Sequence, residues 1–111
     1  QYPVLWENKC VNDKTYKKFQ ETGVQVAKPE YYVQVQLYMH YCKFDTCLFT
    51  AINADTMGVY DEVIPYRQAT AESIVEEVRR IFDYTDRNKF LPRTANTYLC
   101  KYCDYKEVCK P

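Results

Sequence analysis

Near the start of the chain, the triplet Glu7-Asn8-Lys9 lies within PVLWENKC, Pro3 to Cys10. Val4, Leu5 and Trp6 read as the start of a core strand, and residues two apart in a strand share a face. Glu7 and Lys9 therefore stand side by side. A carboxylate in that place is a hard oxygen ligand for Mg²⁺, and the Asn8 backbone carbonyl can add a second oxygen. A lysine two residues on can orient an attacking water or stabilise charge developing on a phosphate. Together these groups suit phosphodiester hydrolysis, provided another acidic ligand arrives from a neighbouring strand. The plainer alternative is an exposed strand end with a surface ion pair, worth at most about 1 kcal/mol.

A second set of reactive residues closes the sequence. CKYCDYKEVC places Cys100, Cys103 and Cys109 so that two thiolates share a tight turn and a third closes a small loop. Three ligands are one short of a tetrahedral zinc or a four-iron cluster. Cys10, Cys42, Cys47 or His40 could supply the fourth, and the spacing does not separate zinc from iron–sulfur. Cys42 and Cys47 are equally well explained as small buried hydrophobes. His40, with no second imidazole nearby in sequence, reads as a partly exposed helix residue. Six cysteines also allow three disulfides, but three of them crowd into the last twelve residues and no signal-peptide pattern marks an oxidising compartment.

These residues need elements to hold them. After the first strand, VNDKTYKKFQETG reads as a polar loop with a short helical piece ending at Gly23. Its cluster of Lys14, Lys17 and Lys18 is either a solvated face or a phosphate-contacting surface. Pro29 suits the first turn of a helix running through EYYVQVQLYMHYC. Gln34 and Tyr38 fall four apart on that helix and share a face, as do Gln36 and His40, so the helix is not cleanly amphipathic. TCLFTAINA and VYDEVIPY read as paired strands, with a hairpin centred on Asp55 to Gly58. TAESIVEEVRRIFDYT predicts a helix capped by Thr70, with Ile74, Val78, Ile81 and Phe82 along one face. The tail from about residue 88 has no sustained period and reads as a loop organised by its cysteines.

The chain of 111 residues is expected to form one domain. Its 47% hydrophobic and 27% charged residues are ordinary for a soluble globular chain, and a formal net charge of zero gives no global basic field toward nucleic acid. No apolar run is long enough to span a membrane. The chain begins with Gln1, inside what looks like the approach to a core strand, so a truncated or processed start is expected.

The order of these features resembles the PD-(D/E)xK nuclease superfamily, and more closely the phage-type and RecB-like exonucleases with a C-terminal cysteine cluster. Glu7-Asn8-Lys9 stands where the family's ExK motif stands. Gln34-x3-Tyr38 matches the QxxxY motif on the following helix, which in these nucleases helps position DNA. Cys100, Cys103 and Cys109 match three cysteines that, in iron–sulfur members, join a distant N-terminal cysteine around a 4Fe-4S cluster. The resemblance implies an α/β fold with a small mixed sheet flanked by helices: a restriction-endonuclease-like core, N-terminally incomplete. It implies DNA as partner, Mg²⁺ or Mn²⁺ as cofactor, and the cytoplasm of a bacterial or phage-infected cell. Glu7 and Lys9 become catalytic, Glu7 and the Asn8 carbonyl metal ligands, and Gln34 and Tyr38 DNA-positioning residues. The family's catalytic Asp, on the strand before ExK, has no counterpart here, nor do its N-terminal helix and first cluster cysteine. The chain thus looks like the C-terminal part of such a domain, completed by a preceding segment or a partner chain.

Two readings compete with a metal-dependent deoxyribonuclease. One is a non-catalytic module that binds nucleic acid or protein and is stapled by a zinc or iron–sulfur tail. The other is a secreted disulfide protein. For Gln34 and Tyr38 the competing expectation is a helix face packed on the sheet with its polar ends satisfied.

Overall fold

A computed structural model describes residues 3–93 and 98–109. The element order is β1 (Leu5–Val11), α1 (Asp13–Thr22), α2 (Val24–Ala27), α3 (Pro29–Cys42), β2 (Thr46–Asn53), β3 (Val59–Pro65) and α4 (Gln68–Asp86). A 3₁₀ turn at Tyr98–Tyr102 and α5 (Lys106–Cys109) follow. The chain folds as two compact units, residues 1–77 and 78–111. The first is a small mixed α/β unit, as the alternating and periodic segments imply.

Its three-stranded sheet has the order β1-β2-β3. β1 runs parallel to β2, with Glu7 opposite Phe49 and Lys9 opposite Ala51. β3 returns antiparallel, with Glu62 opposite Phe49 and Tyr60 opposite Ala51. A parallel pair needs a long crossover, which α1, α2 and α3 provide. Leu5, Glu7, Lys9 and Val11 share the more buried face of β1, while Trp6, Asn8 and Cys10 are exposed on the other. The sheet's buried side continues through Cys47, Phe49, Ala51 and Ile64, which form one core with Phe19, Val24, Val35 and Met39.

The stretch after β1 is more ordered than its polar composition predicts. Instead of a loop with a short helical piece, Asp13–Thr22 is a ten-residue helix. Asn12 caps it, its side chain accepting a hydrogen bond from the Thr15 amide at 2.9 Å. Phe19 is the residue it buries, stacked on Tyr60 with ring centroids 5.6 Å apart and edge-on to Phe49. Phe19, with Tyr16 partly buried against the same core, is sufficient to dock a helix whose other faces are solvated. Gly23 ends it at φ 79° and ψ 172°, a backbone region open to glycine and almost nothing else.

Pro29 opens α3 as expected, and the helix buries Tyr32, Val35, Gln36 and Met39. Gln36 is fully buried. Its Nε2 donates to the Pro65 carbonyl at 2.9 Å, and its Oε1 accepts from the Arg67 amide at 2.8 Å, clamping the end of β3. His40 does not pair with Gln36; its Nδ1 lies 2.8 Å from the Tyr66 hydroxyl. The hairpin falls where its turn residues place it, with Asn53 Oδ1 accepting from the amides of Asp55 and Thr56.

α4 starts at Gln68, two residues before the expected cap at Thr70, which lies inside the helix. Ala71 is buried, while Val78, Ile81 and Phe82 of the expected apolar face are exposed. In the second unit the helix terminates near Asn88, which adopts the left-handed conformation at φ 52°. The tail is not wholly irregular, since the 3₁₀ turn and α5 order its cysteine-bearing segments. Residues 94–97 and 110–111 of that tail lie outside the described residues.

Candidate functional site

β1 carries an inversion of the usual strand pattern. Its buried-side row reads Leu5, Glu7, Lys9, Val11, so two charged residues sit between two apolar ones. Burying charge is unfavourable unless each group is paired and hydrogen-bonded. Glu7 and Lys9 keep side-chain exposures of only 19% and 21%, with the Lys9 ammonium 3.3 Å from Glu7 Oε1. This is neither an exposed strand end nor a surface ion pair.

α3 supplies the rest of Lys9's surroundings. The ammonium donates to Gln34 Oε1 at 2.8 Å. Because an ammonium only donates, the amide must turn its oxygen toward Lys9 and its NH₂ away. Gln34 Nε2 accordingly donates to the Tyr38 hydroxyl at 2.9 Å. Tyr38, 40% exposed, accepts that bond and keeps its own O–H to donate outward. The Tyr31 ring lies 4.7 Å from Lys9 Nζ, a cation–π distance. Glu7, Lys9, Gln34 and Tyr38 thus form one chain of polar contacts.

Asn8 is on the opposite face, its side-chain oxygen accepting from Thr50 Oγ1 at 2.7 Å while that oxygen also accepts from the Trp6 indole. Cys47 lies near Glu7 on the buried face. Burial, reinforced by the Glu7 carboxylate, pushes its thiol up to about 11.

Glu62 is a second carboxylate in the same cross-strand row as Glu7, but Phe49 separates them. Two strand spacings put their backbones about 9–10 Å apart. Glu62 Oε1 is committed elsewhere, accepting from the Val24 amide at 3.1 Å and the Tyr60 hydroxyl at 2.6 Å. Burial and this carboxylate together push the Tyr60 hydroxyl up. Sequence reading pairs Gln36 with His40 without placing it in the core, and does not single out Glu62; only the register across Phe49 links Glu62 to the Glu7 row.

Among the described residues, no group of three or more His, Cys, Asp or Glu side chains is placed to hold a metal ion. Mg²⁺ commonly keeps several waters and takes one or two carboxylates plus substrate phosphates. Glu7 fits such a water-rich site and does not fit a cage built from protein alone. The tail thiols fare differently. The Cys103 amide lies 3.4 Å from the Cys100 carbonyl, but the three cysteines form no metal-binding group. Cys109 instead lines an apolar cavity of about 380 Å³ with Phe90, Leu91, Arg93, Tyr105 and Val108. As arranged, the tail does not fit a zinc ion or a cluster. Among the described residues no disulfide is formed, and no described helix is long and apolar enough to cross a membrane.

No protein-family model, curated protein or solved structure matches this chain.

Proposed function

We propose that the chain is the metal- and DNA-binding part of a metal-dependent deoxyribonuclease, of the exonuclease kind, with a restriction-endonuclease-like core completed from outside the sequence. One observation carries this reading. Lys9 is held between the Glu7 carboxylate and the Gln34 amide, and Gln34 passes the contact on to Tyr38.

Each residue then has a distinct task. Glu7 and the Asn8 carbonyl would hold Mg²⁺ or Mn²⁺, which would supply Lewis-acid polarisation of the phosphate and a more acidic water. Lys9 presents a fixed positive charge to the oxygen on which negative charge develops, and such preorganised charge stabilises the transition state more than a mobile side chain would. Gln34 prevents Lys9 from collapsing fully onto Glu7. Tyr38 donates its free hydroxyl proton to a backbone phosphate and so positions the strand. A further acidic ligand comes from a preceding strand or a partner chain. The tail cysteines Cys100, Cys103 and Cys109 would take a 4Fe-4S cluster or zinc only after rearranging around a fourth ligand. The cytoplasm of a bacterial or phage-infected cell is the compartment this reading implies.

A second reading has its own support. Glu62 Oε1 is engaged by Val24 and Tyr60, and among the described residues no group of three or more His, Cys, Asp or Glu gathers around Glu7, as in a binding module without catalysis. End-labelled duplex DNA separates the two. Mn²⁺-dependent cleavage lost in both Glu7→Gln and Lys9→Ala supports the nuclease. Salt-sensitive binding without cleavage, unchanged in Glu7→Gln, supports the module.

A further inference from the structure

Tyr31 faces two cations. Lys9 Nζ lies 4.7 Å from its ring centroid and Lys28 Nζ lies 5.9 Å from it. The ring is held in place by the core, with Phe19 at 6.5 Å and Phe49 at 6.3 Å between centroids. It is therefore a fixed ring that one ammonium from β1 and one from the start of α3 both approach.

Lys28 is an odd choice for its position. It is the N-cap of α3, where a short polar side chain normally accepts a hydrogen bond from the first turn, and no such side-chain bond is made. A cation there opposes the dipole of α3, although it suits the C-terminal end of the short α2 that Lys28 also caps. Its ion pair with Glu30 is long, 3.7 Å, and Glu30 is largely exposed, so the pair is easily displaced. Lys28 also closes α2, its amide donating to the Val24 carbonyl at 2.9 Å, so its backbone is committed while its ammonium is held only by the loose Glu30 pair and the Tyr31 ring. Each ammonium has one carboxylate partner, Glu7 for Lys9 and Glu30 for Lys28, and the exposed Glu30 pair is the one an incoming anion can displace.

We infer that Lys28 and Lys9, spaced by Tyr31, form a two-cation seat for the DNA backbone, Lys28 taking the phosphate next to the one at Glu7 and Lys9. Tyr31 is a positioning residue that holds both ammonium groups. This inference rests on the proposal that the site binds DNA. It names a phosphate contact that neither the Glu7–Lys9 pair nor the Gln34–Tyr38 pair provides.

The test is fluorescence-anisotropy titration of a labelled duplex over a series of KCl concentrations, without divalent metal. Wild type is compared with Lys28→Gln, Tyr31→Phe, Tyr31→Leu and, as control, Lys43→Gln at the far end of α3. Lys28→Gln is expected to weaken binding about threefold to tenfold and to reduce the slope of log K against log salt by about 0.9, the loss of one phosphate contact. Tyr31→Phe keeps the ring face and should bind like wild type, while Tyr31→Leu should weaken binding at unchanged circular dichroism. If Tyr31→Leu fails to fold, the Lys28→Gln slope alone decides. Salt-dependent binding with an unchanged slope in Lys28→Gln, or an equal loss in Lys43→Gln, overturns the two-cation seat and leaves the DNA reading standing. Absence of any wild-type binding overturns both.

Discussion

Lys9 and Gln34 meet at 2.8 Å although 25 residues separate them, one from the middle of a strand and the other from the helix that crosses over it. The contact orients both groups at once. It fixes which end of the amide faces the ammonium, and the other end then holds Tyr38. Removing the amide should leave a part-buried ammonium with Glu7 as its main partner. Gln34→Leu is expected to destabilise the fold by about 1–3 kcal/mol in urea denaturation, and Tyr38→Phe by under about 1 kcal/mol because Tyr38 is exposed. A double-mutant cycle of Gln34→Leu with Lys9→Met should give a coupling of about 1–2 kcal/mol. Additive effects would show that the contact contributes nothing.

Gln36 predicts a larger effect two residues away. Its amide is the buried partner of both the Pro65 carbonyl and the Arg67 amide. Gln36→Leu preserves volume but leaves both backbone groups unsatisfied, at roughly 1–3 kcal/mol each. A lowered midpoint in urea with an unchanged slope would identify the loss as one of stability.

Gly23 predicts a backbone effect. At φ 79° a side chain is strained, and an added Cβ would come within 3.1 Å of Glu62 Oε1. Gly23→Ala should therefore lose about 1–3 kcal/mol by thermal or chemical denaturation. Gly58→Ala, whose nearest contacts are the flexible side chains of Tyr16 and Thr56, should lose less.

Cys47 predicts a pH dependence. Its thiol is raised to about 11 in the fold, against roughly 8.5 in an unfolded chain. Between these values the folded state binds more protons, so stability falls as pH rises, by at most about 1.4 kcal/mol per pH unit. The contribution is complete below the lower value and lost by the upper one. Subtracting the stability profile of Cys47→Ala from that of wild type should isolate this slope. At mildly alkaline pH the exposed Cys10, Cys42, Cys103 and Cys109 should also react with a thiol reagent well before buried Cys47.

The strands, the hairpin and the start of α3 were legible because alternation and turn chemistry act locally. α1 is less legible because most of its ten residues are polar and only Phe19, with Tyr16 partly buried beside it, docks it on the core. Glu7 and Lys9 were legible as neighbours on one face but not as to which face. Alternation alone would turn Trp6 and Cys10 inward, whereas the register with Phe49 and Ala51 turns Glu7 and Lys9 toward the core. Gln34 and Tyr38 could be paired from helical spacing, but their junction with Lys9 depends on how α3 crosses β1. Gln36 was legible only as a helix-face partner of His40, and Glu62 not at all, because a buried polar side chain is recognisable only by its partners.

The most direct test of the site is a titration of isotope-labelled protein with Mn²⁺, read as paramagnetic broadening of backbone and side-chain resonances. A cation held by Glu7 predicts selective broadening at Glu7, Asn8, Lys9 and the Gln34 side chain, abolished by Glu7→Gln. Broadening that ignores this group, or that persists unchanged in Glu7→Gln, would contradict a metal site on β1.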